Sequence, residues 1–283
     1  MKRTAKSIFN LFLIAAMAVS LTVTSCESGW DGTVTVMSYN IRNSHADDGP
    51  NAWEIRRSAT PAMLDAVNPD IFGVQEAYPE QEQYILEQCP RFKAIGVGRN
   101  DGADDGERMT VFYNTKVLEM EDGGTWWLSE TPDVPSVGWD AKYPRTATWV
   151  KMKDLRNGKL FYFVNTHLDH KGVNARREGL RMVVSKIREM DPDIPMVFTG
   201  DFNVQPADSC LMVLDSLMLS ARATAAVSDT TASFNGFKGP KTIIDYIYYS
   251  GFTKADEFRV VTESFDGKPF ISDHYPIVSK LQY

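Results

Sequence analysis

Polar side chains that can bind metals or move protons lie beside or within apolar runs at six separate places in the chain. They are Asn40, Glu76, the segment 165–170, Asp201 with Asn203, Asp245, and Asp273 with His274. Polar groups at strand ends are held by a rigid scaffold and can meet at one rim of a sheet. If the carboxylates of this set converge, they repel one another strongly unless a cation is bound. Oxygen ligands without cysteine suit a hard ion such as Mg²⁺ or Mn²⁺.

A hard cation beside imidazole and carboxylate groups is the usual equipment for hydrolysing a phosphoester. The metal takes up charge on the phosphoryl oxygens, a carboxylate directs water, and an imidazole stabilises the transition state. Taken singly, Asn40 is also a common turn former and Glu76 a common solvated strand end. Asp245 is harder to explain in this way, because it interrupts an apolar run where an unpaired carboxylate is costly. His274 is its candidate partner.

Short apolar runs bounded by turn residues predict the strands that position these side chains. The runs span residues 33–39, 70–75, 109–113, 146–152, 160–165, 195–199, 243–249 and 275–281. Helical periodicity predicts helices at 53–67 and 173–190, and weaker patterns indicate helices at 79–88 and 206–217. Many strands and few long helices, in an irregular order, favour sheet layers flanked by helices over a regular βαβ series.

Six segments in this order resemble the endonuclease/exonuclease/phosphatase superfamily over nearly all of residues 33–283. They are MSYNIR, VQEA, NTHLDH, GDFN, IDYIYY and SDHYP. The chain is most similar to the branch that contains CCR4- and nocturnin-like deadenylases and many bacterial members, and His167 favours that branch. The resemblance implies an α/β (α+β) fold, a four-layer α/β/β/α sandwich in which two mixed sheets pack together with helices outside. It also implies a Mg²⁺-dependent phosphoric ester hydrolase.

The resemblance implies a catalytic role for five residues. Asp201 would orient or deprotonate the attacking water, and Asn203 would bind a phosphate oxygen beside it. His274 would contact the phosphoryl group, with Asp245 holding its imidazole in place. His167 completes the catalytic set at a position where other branches use different groups.

The same resemblance implies the metal ligands and suggests substrate contacts. Glu76 would be the principal Mg²⁺ ligand, assisted by Asn40 and by Asp273, either directly or through water; the number of metals stays open. Candidate substrate-binding residues are Arg108, Arg145 and Arg176. Arg176 matches a recurring arginine of the family, although it could equally brace the His167 loop. The other two could bind phosphate or form surface salt bridges.

The N-terminal segment of the sequence predicts an export signal. Three basic residues precede an apolar run from Ile8 to Val23 that is shorter than the roughly 20 residues needed to span a bilayer. The run ends in Val-Thr-Ser-Cys, which resembles a bacterial lipobox with Cys26 as the lipidated residue. An ordinary signal peptide with an incidental cysteine is the alternative. The predicted segments are a lipoprotein signal peptide at 1–25, a tether at 26–32 and one catalytic domain at 33–283.

We expect an exported, membrane-anchored lipoprotein on the periplasmic side or at the cell surface, and its charge limits the expected partners. Removing the three basic residues of the signal changes the formal net charge from −7 to −10. So acidic a chain lacks the electrostatic footprint for holding nucleic acid, and we expect a monomer with no stable nucleic-acid partner. The expected substrate is a small, lipid or nucleotide phosphoester. The alternatives are a secreted nuclease and a non-catalytic binding lipoprotein. Cys89 and Cys210 either pair or remain thiols.

Overall fold

The apolar runs form two β-sheets in a computed structural model that describes residues 29–283. In chain order the elements are β1 (Thr33–Asn40), α1 (Trp53–Arg56), α2 (Ala59–Val67), β2 (Ile71–Gln75), α3 (Pro79–Gln88), β3 (Phe92–Ile95), β4 (Val111–Asn114), β5 (Leu118–Trp127), β6 (Thr146–Asp154), β7 (Leu160–His167), α4 (Val173–Glu189), β8 (Met196–Asp201), α5 (Met212–Asp215), β9 (Leu219–Ser220), α6 (Ala221–Thr224), β10 (Val227–Ser228), β11 (Asp245–Ser250), β12 (Lys254–Val260) and β13 (Ile277–Gln282). The expected signal peptide and Cys26 lie outside the described residues.

Both sheets are mixed. The seven-stranded sheet has the order β10-β12-β13-β1-β2-β4-β3, and the six-stranded sheet has the order β5-β6-β7-β8-β11-β9. Strand β1 pairs in parallel with β2 and antiparallel with β13, while β8 pairs in parallel with β7 and antiparallel with β11. Residues Gly32–Tyr283 form one compact unit. The expected α/β sandwich of two mixed sheets is confirmed.

The burial of β1 shows how the layers stack. Val36 points into an apolar cluster between the two sheets, which it shares with Phe163 of β7. Its neighbour Met37 points the other way, into a cluster that contains Leu64 of α2. A third cluster joins Leu180 of α4 to the outer face of the six-stranded sheet. Because each sheet has a sheet on one face and helices on the other, its strands are apolar on both sides.

The helix expected at 53–67 is two helices, α1 and α2, separated at Arg57 and Ser58. Pro61 is the physical reason, because a proline lacks an N–H and is tolerated only in the first turn of a helix. The chain therefore starts a new helix at Ala59, where Pro61 is the third residue. The region 206–217 forms only a 3₁₀ turn at Ser209–Leu211 and the short α5.

The described cysteines do not pair. Within residues 29–283, Cys89 and Cys210 are both free and buried. Cys89 belongs to the apolar cluster of α2 and α3, whereas Cys210 belongs to the cluster of α4 on the other sheet. A disulfide between them would have to cross both sheets. No helix in the same range is both long and apolar enough to cross a bilayer.

Candidate active site

Strand register brings the predicted catalytic residues together at one end of the two sheets. The cross-strand partners are Asn40 with Gln75, His167 with Asp201, and Asp245 with Asp201. Glu76 continues directly from β2, so it lies beside the end of β1. The turn before β13 is fixed to the same place, because Ser272 Oγ donates to the carbonyl oxygen of Asn40 at 2.7 Å. The convergence expected from the sequence is therefore present.

Asp201 is the centre of this group and is buried. Asn40 Nδ2 donates to Asp201 Oδ2 at 3.0 Å. The Nε2 atoms of His167 and His274 lie 3.5 Å and 3.7 Å from the same oxygen. Burial and the nearby charge of Asp245 raise the pKa of Asp201 to about 7, so this carboxylate can exchange a proton near neutral pH.

His274 and Asp245 form a buried pair. His274 Nδ1 lies 2.9 Å from Asp245 Oδ2, at hydrogen-bonding distance. Burial disfavours the charged imidazole, but the carboxylates of Asp245 and Asp201 outweigh this effect and raise the pKa of His274 to about 10. Asp245 is therefore placed to hold the imidazole of His274 in a fixed orientation and to favour its charged form.

His167 has a different state from His274. Asn203 Nδ2 donates to the carbonyl oxygen of Leu168 at 2.9 Å, which fixes its amide orientation, and it also lies 2.9 Å from His167 Nε2. His167 Nε2 must therefore accept a hydrogen bond and carry no proton. Burial and the charges of Arg145 and Arg99 lower the pKa of His167 well below its usual value. His167 is neutral and positions Asn203.

Glu76 has a backbone conformation that residues other than glycine rarely adopt. Its φ of 64° lies in the left-handed region, and Asn203 has a φ of 54° in the same region. Such strain persists only where the surroundings fix it, and it is typical of functional sites. Glu76 receives hydrogen bonds from Asn40 Nδ2 at 3.1 Å and from the amide nitrogens of Asn43 at 3.1 Å and 3.2 Å.

The charges around Glu76 fit a divalent cation. Burial opposes ionisation of Glu76, but the Asn40 hydrogen bond and the positive charge of His274 together lower its pKa. Burial raises the pKa of Asp273 and of Glu107, and the negative charge of Glu76 raises both further. Glu76 and Asp273 oppose each other's ionisation in one cleft, and a divalent cation between them would relieve that repulsion.

A second group of possible ligand atoms is a poorer candidate for the metal site. Single ligand atoms of Asp201, Asp245 and His274 lie within 4.8 Å of one another. However, His274 Nδ1 and Asp245 Oδ2 are 2.9 Å apart and already bonded to each other, which occupies two of these ligand atoms. The side of the cleft formed by Glu76, Asp273 and Asn40 is therefore the better candidate metal site.

These residues open onto a cavity of about 460 Å³. The predicted site residues on its wall are Glu76, Arg145, His167, Asp201, Asn203, Asp273 and His274. Sequence reasoning missed other lining residues, namely Arg42, Asn43, Arg99, Glu107, Tyr143 and Phe234. His170 also lines the cavity, and its Nδ1 lies 3.0 Å from Arg145 Nη2.

Two of the three candidate substrate-binding arginines lie outside the cavity wall. Arg108 forms ion pairs with Glu82, at 2.6 Å, and with Asp104, so it is bound within the protein. Arg176 Nη1 donates to the carbonyl oxygen of Asp169 at 3.0 Å and braces the loop after His167. That brace was the alternative interpretation of Arg176. The positions of both arginines give no support to substrate contact, and only Arg145 is placed to make one.

Comparison with known proteins agrees with the geometry. A model of the endonuclease/exonuclease/phosphatase family matches residues 37–274. A solved structure of such a protein from Bacteroides vulgatus is 35% identical, with a TM-score of 0.84, and the match covers 88% of this chain and 98% of that chain. A mannosyl-6-phosphatase from Bacteroides thetaiotaomicron is 34% identical, with a TM-score of 0.83, covering 88% of this chain and 100% of that chain.

The likeness extends in fold to the branch expected from the sequence. The human nocturnin catalytic domain is 18% identical, with a TM-score of 0.67, over 89% of this chain and 93% of that chain. At this identity the match shows a shared fold. Family members hydrolyse phosphoesters and depend on divalent metals. The recognition made from the six segments is confirmed: the chain belongs to the endonuclease/exonuclease/phosphatase family.

Proposed function

We propose that this protein is a Mg²⁺-dependent hydrolase of a small phosphoester, exported and held at a membrane by a lipid on Cys26. The observation that carries the catalytic part is the environment of Asp201. This buried carboxylate has a pKa of about 7 and lies 3.7 Å from the imidazole of His274, which carries a positive charge. A proton acceptor beside a fixed cation suits the attack of water on a phosphoryl group.

The roles follow from the protonation states of the side chains. Asp201 accepts a proton from the attacking water. His274 donates to the phosphoryl oxygens and stabilises the charge that develops on them, while Asp245 keeps its imidazole in position. His167, which is neutral, orients Asn203. Glu76, Asp273 and Asn40 would hold the cation. When bound, Mg²⁺ supplies positive charge to the phosphoryl oxygens.

Three observations favour a small substrate over a long nucleic acid. The chain has a formal net charge of −7, and loss of the basic signal makes it more negative. A cavity of about 460 Å³ is within the size range of small-ligand sites. In addition, a solved structure 34% identical to this chain is a mannosyl-6-phosphatase. Substantial cleavage of DNA or RNA by the purified protein would favour the nuclease alternative instead.

The test is hydrolysis of aryl phosphomonoesters and phosphodiesters with Mg²⁺ and with excess chelator. We expect Mg²⁺-dependent turnover, and we expect Glu76→Ala to weaken Mg²⁺ binding measured by calorimetry. Asp201→Asn should lower kcat by at least about two orders of magnitude, because it removes the proton acceptor. The exposed substitutions Glu189→Ala and Asp193→Asn are matched controls.

Two results would count against the proposal. The first is a native protein that hydrolyses no phosphoester and whose Mg²⁺ binding is unaffected by Glu76→Ala. That result would favour the non-catalytic binding protein. A near-normal rate in Asp201→Asn would show that another group accepts the proton.

A further inference from the structure

One wall of the cleft carries side chains that the phosphoryl chemistry does not use. They are Arg99, Glu107, Tyr143, Arg145 and His170, and together we call them the polar wall. All five lie in connecting segments outside the strands and helices, where binding residues are commonly found. The polar wall is therefore built by loops, whereas Asp201, Asp245 and His167 of the catalytic centre lie on strands.

The first component of the polar wall is an ion pair between Arg99 and Glu107. Arg99 Nη1 lies 2.5 Å from Glu107 Oε2, and the two side chains are only 9% and 13% exposed. Trp127 Nε1 donates to the carbonyl oxygen of Arg99 at 2.7 Å, which fixes the backbone of this loop. A nearly buried guanidinium and carboxylate side by side offer both donors and an acceptor at one rigid place.

The second component is a buried guanidinium with a free donor. Arg145 is 4% exposed. Its Nε donates to Asp169 Oδ2 at 3.2 Å, and its Nη2 donates to His170 Nδ1 at 3.0 Å. Its Nη1 is buried and has no hydrogen-bond partner among residues 29–283. An unsatisfied buried donor costs free energy, so a ligand that accepts from Arg145 would gain from it.

We propose that the polar wall binds the alcohol part of the substrate, and that this part is a polyhydroxylated ring such as a phosphorylated hexose. The inference rests on the proposed phosphoester hydrolysis and names its substrate class. A sugar hydroxyl both donates and accepts, so neighbouring hydroxyls can donate to Glu107 and accept from Arg99 or Arg145. A rigid carboxylate beside rigid guanidinium donors matches that pattern.

Three other leaving groups fit the polar wall less well. An alkyl or lipid chain would remove water from Arg99 and Glu107 without replacing their hydrogen bonds, which is costly. A second anionic group could accept from Arg99 or Arg145, but it would leave the carboxylate of Glu107 without a donor from the ligand and close to a like charge. A nucleobase would need a free aromatic face, but the Tyr143 ring already has the Arg99 guanidinium at 5.3 Å and the Lys142 ammonium at 4.8 Å from its centroid.

The first experiment compares kcat/KM of the full protein with Mg²⁺ on hexose 6-phosphate and on an aryl phosphate. We expect Glu107→Gln to lower the value for hexose 6-phosphate at least roughly tenfold more than the value for aryl phosphate, because only the hexose offers hydroxyl donors. Glu178→Gln, on the exposed face of α4, is the matched control and should leave the ratio unchanged. Thermal unfolding of each variant checks that it is folded.

The second experiment removes the partner on the substrate instead. The substrates are a series of deoxyhexose 6-phosphates, each lacking one hydroxyl. For one of them we expect kcat/KM of the wild type to fall. The same missing hydroxyl should lower kcat/KM of Glu107→Gln little further, because that variant has already lost the contact. Equal losses on hexose and aryl phosphates, or strictly additive losses over the whole series, would overturn the proposal and assign Glu107 to phosphoryl or metal chemistry. A wild type inactive on every phosphoester, by contrast, would refute the proposed function itself.

Discussion

Arg145 determines the protonation state of the histidine beside it. A guanidinium can only donate, so His170 Nδ1, 3.0 Å from Arg145 Nη2, must accept and carry no proton. Burial lowers the pKa of His170, and the positive charge of Arg145 lowers it further. A histidine with a lowered pKa stabilises the folded state above its ordinary pKa of about 6.5, and this contribution is lost as the pH falls through the lower folded value.

We therefore predict that His170 titrates below its ordinary pKa in the wild type. Arg145→Met should raise the pKa of His170, because it removes the neighbouring positive charge, whereas Arg145→Lys should raise it less. The measurement is an NMR titration of the imidazole signals, for which the four histidines of the chain give a simple spectrum. A wild-type value at or above 6.5, or an equal shift in both variants, would contradict the assignment.

Site residues on strands or near their ends were easier to predict from the sequence than those on loops. Asp201 and Asp245 lie directly across from each other on β8 and β11. Asp201 follows one apolar run and Asp245 interrupts another, and these patterns were sufficient to find them. Arg99, Glu107 and Tyr143 reach the cleft from loops. No hydrophobic period specifies the path of those loops, and a charged residue in a polar segment resembles any solvated one.

At the scale of elements, one side chain links the two sheets immediately beneath the site. Asn165 on β7 accepts from Gln75 Nε2 at 2.6 Å, and its Nδ2 donates to the carbonyl oxygen of Val74 at 2.8 Å. Both partners are on β2, the strand that leads into Glu76. The close approach requires Gly73, because a Cβ there would lie 2.3 Å from Asn165 Cγ. This bridge fixes β2, the strand that leads into Glu76, against β7, the strand of His167.

We predict that Gly73→Ala disrupts this bridge. The added methyl group would displace Asn165 and leave buried polar groups unpaired, at a cost of about 1–3 kcal/mol in the free energy of unfolding. Urea denaturation measures that cost, and kcat should fall as well because Glu76 shifts with β2. Gly124→Ala on the edge strand β5 faces the Trp149 ring instead and is the control. Unchanged stability and rate in Gly73→Ala would show that the bridge is dispensable.

The elements missing from the sequence prediction lack a clear hydrophobic period. Strand β5 contains Gly123 and Gly124 and several charged residues, and only its two ends are buried. Strand β12 mixes charged and apolar residues in the same way. Both owe their strand conformation to pairing with a neighbour, β6 or β13, which is a tertiary effect that local propensity does not report.

At the scale of the whole molecule, the proposed anchor separates location from catalysis. We predict that Cys26→Ser moves the exported protein from the membrane fraction to the soluble fraction, because lipidation is then impossible, while kcat per molecule stays the same. Cell fractionation with immunoblotting measures the distribution. Cys89→Ser, which alters a buried thiol of the domain, is the control and should stay with the membrane. A wild-type protein found in the soluble fraction would refute lipid anchoring.

The position of β13 has a consequence for how the chain assembles. It lies inside the seven-stranded sheet, between β12 and β1, and pairs Thr33 with Gln282. Contacts between residues so far apart in sequence form late and slow folding. Until β13 is in place, β1 and β12 each expose an unpaired edge, which is a template for association with other chains. A chain interrupted before Ile277 would therefore lack the middle of a sheet and be prone to aggregate.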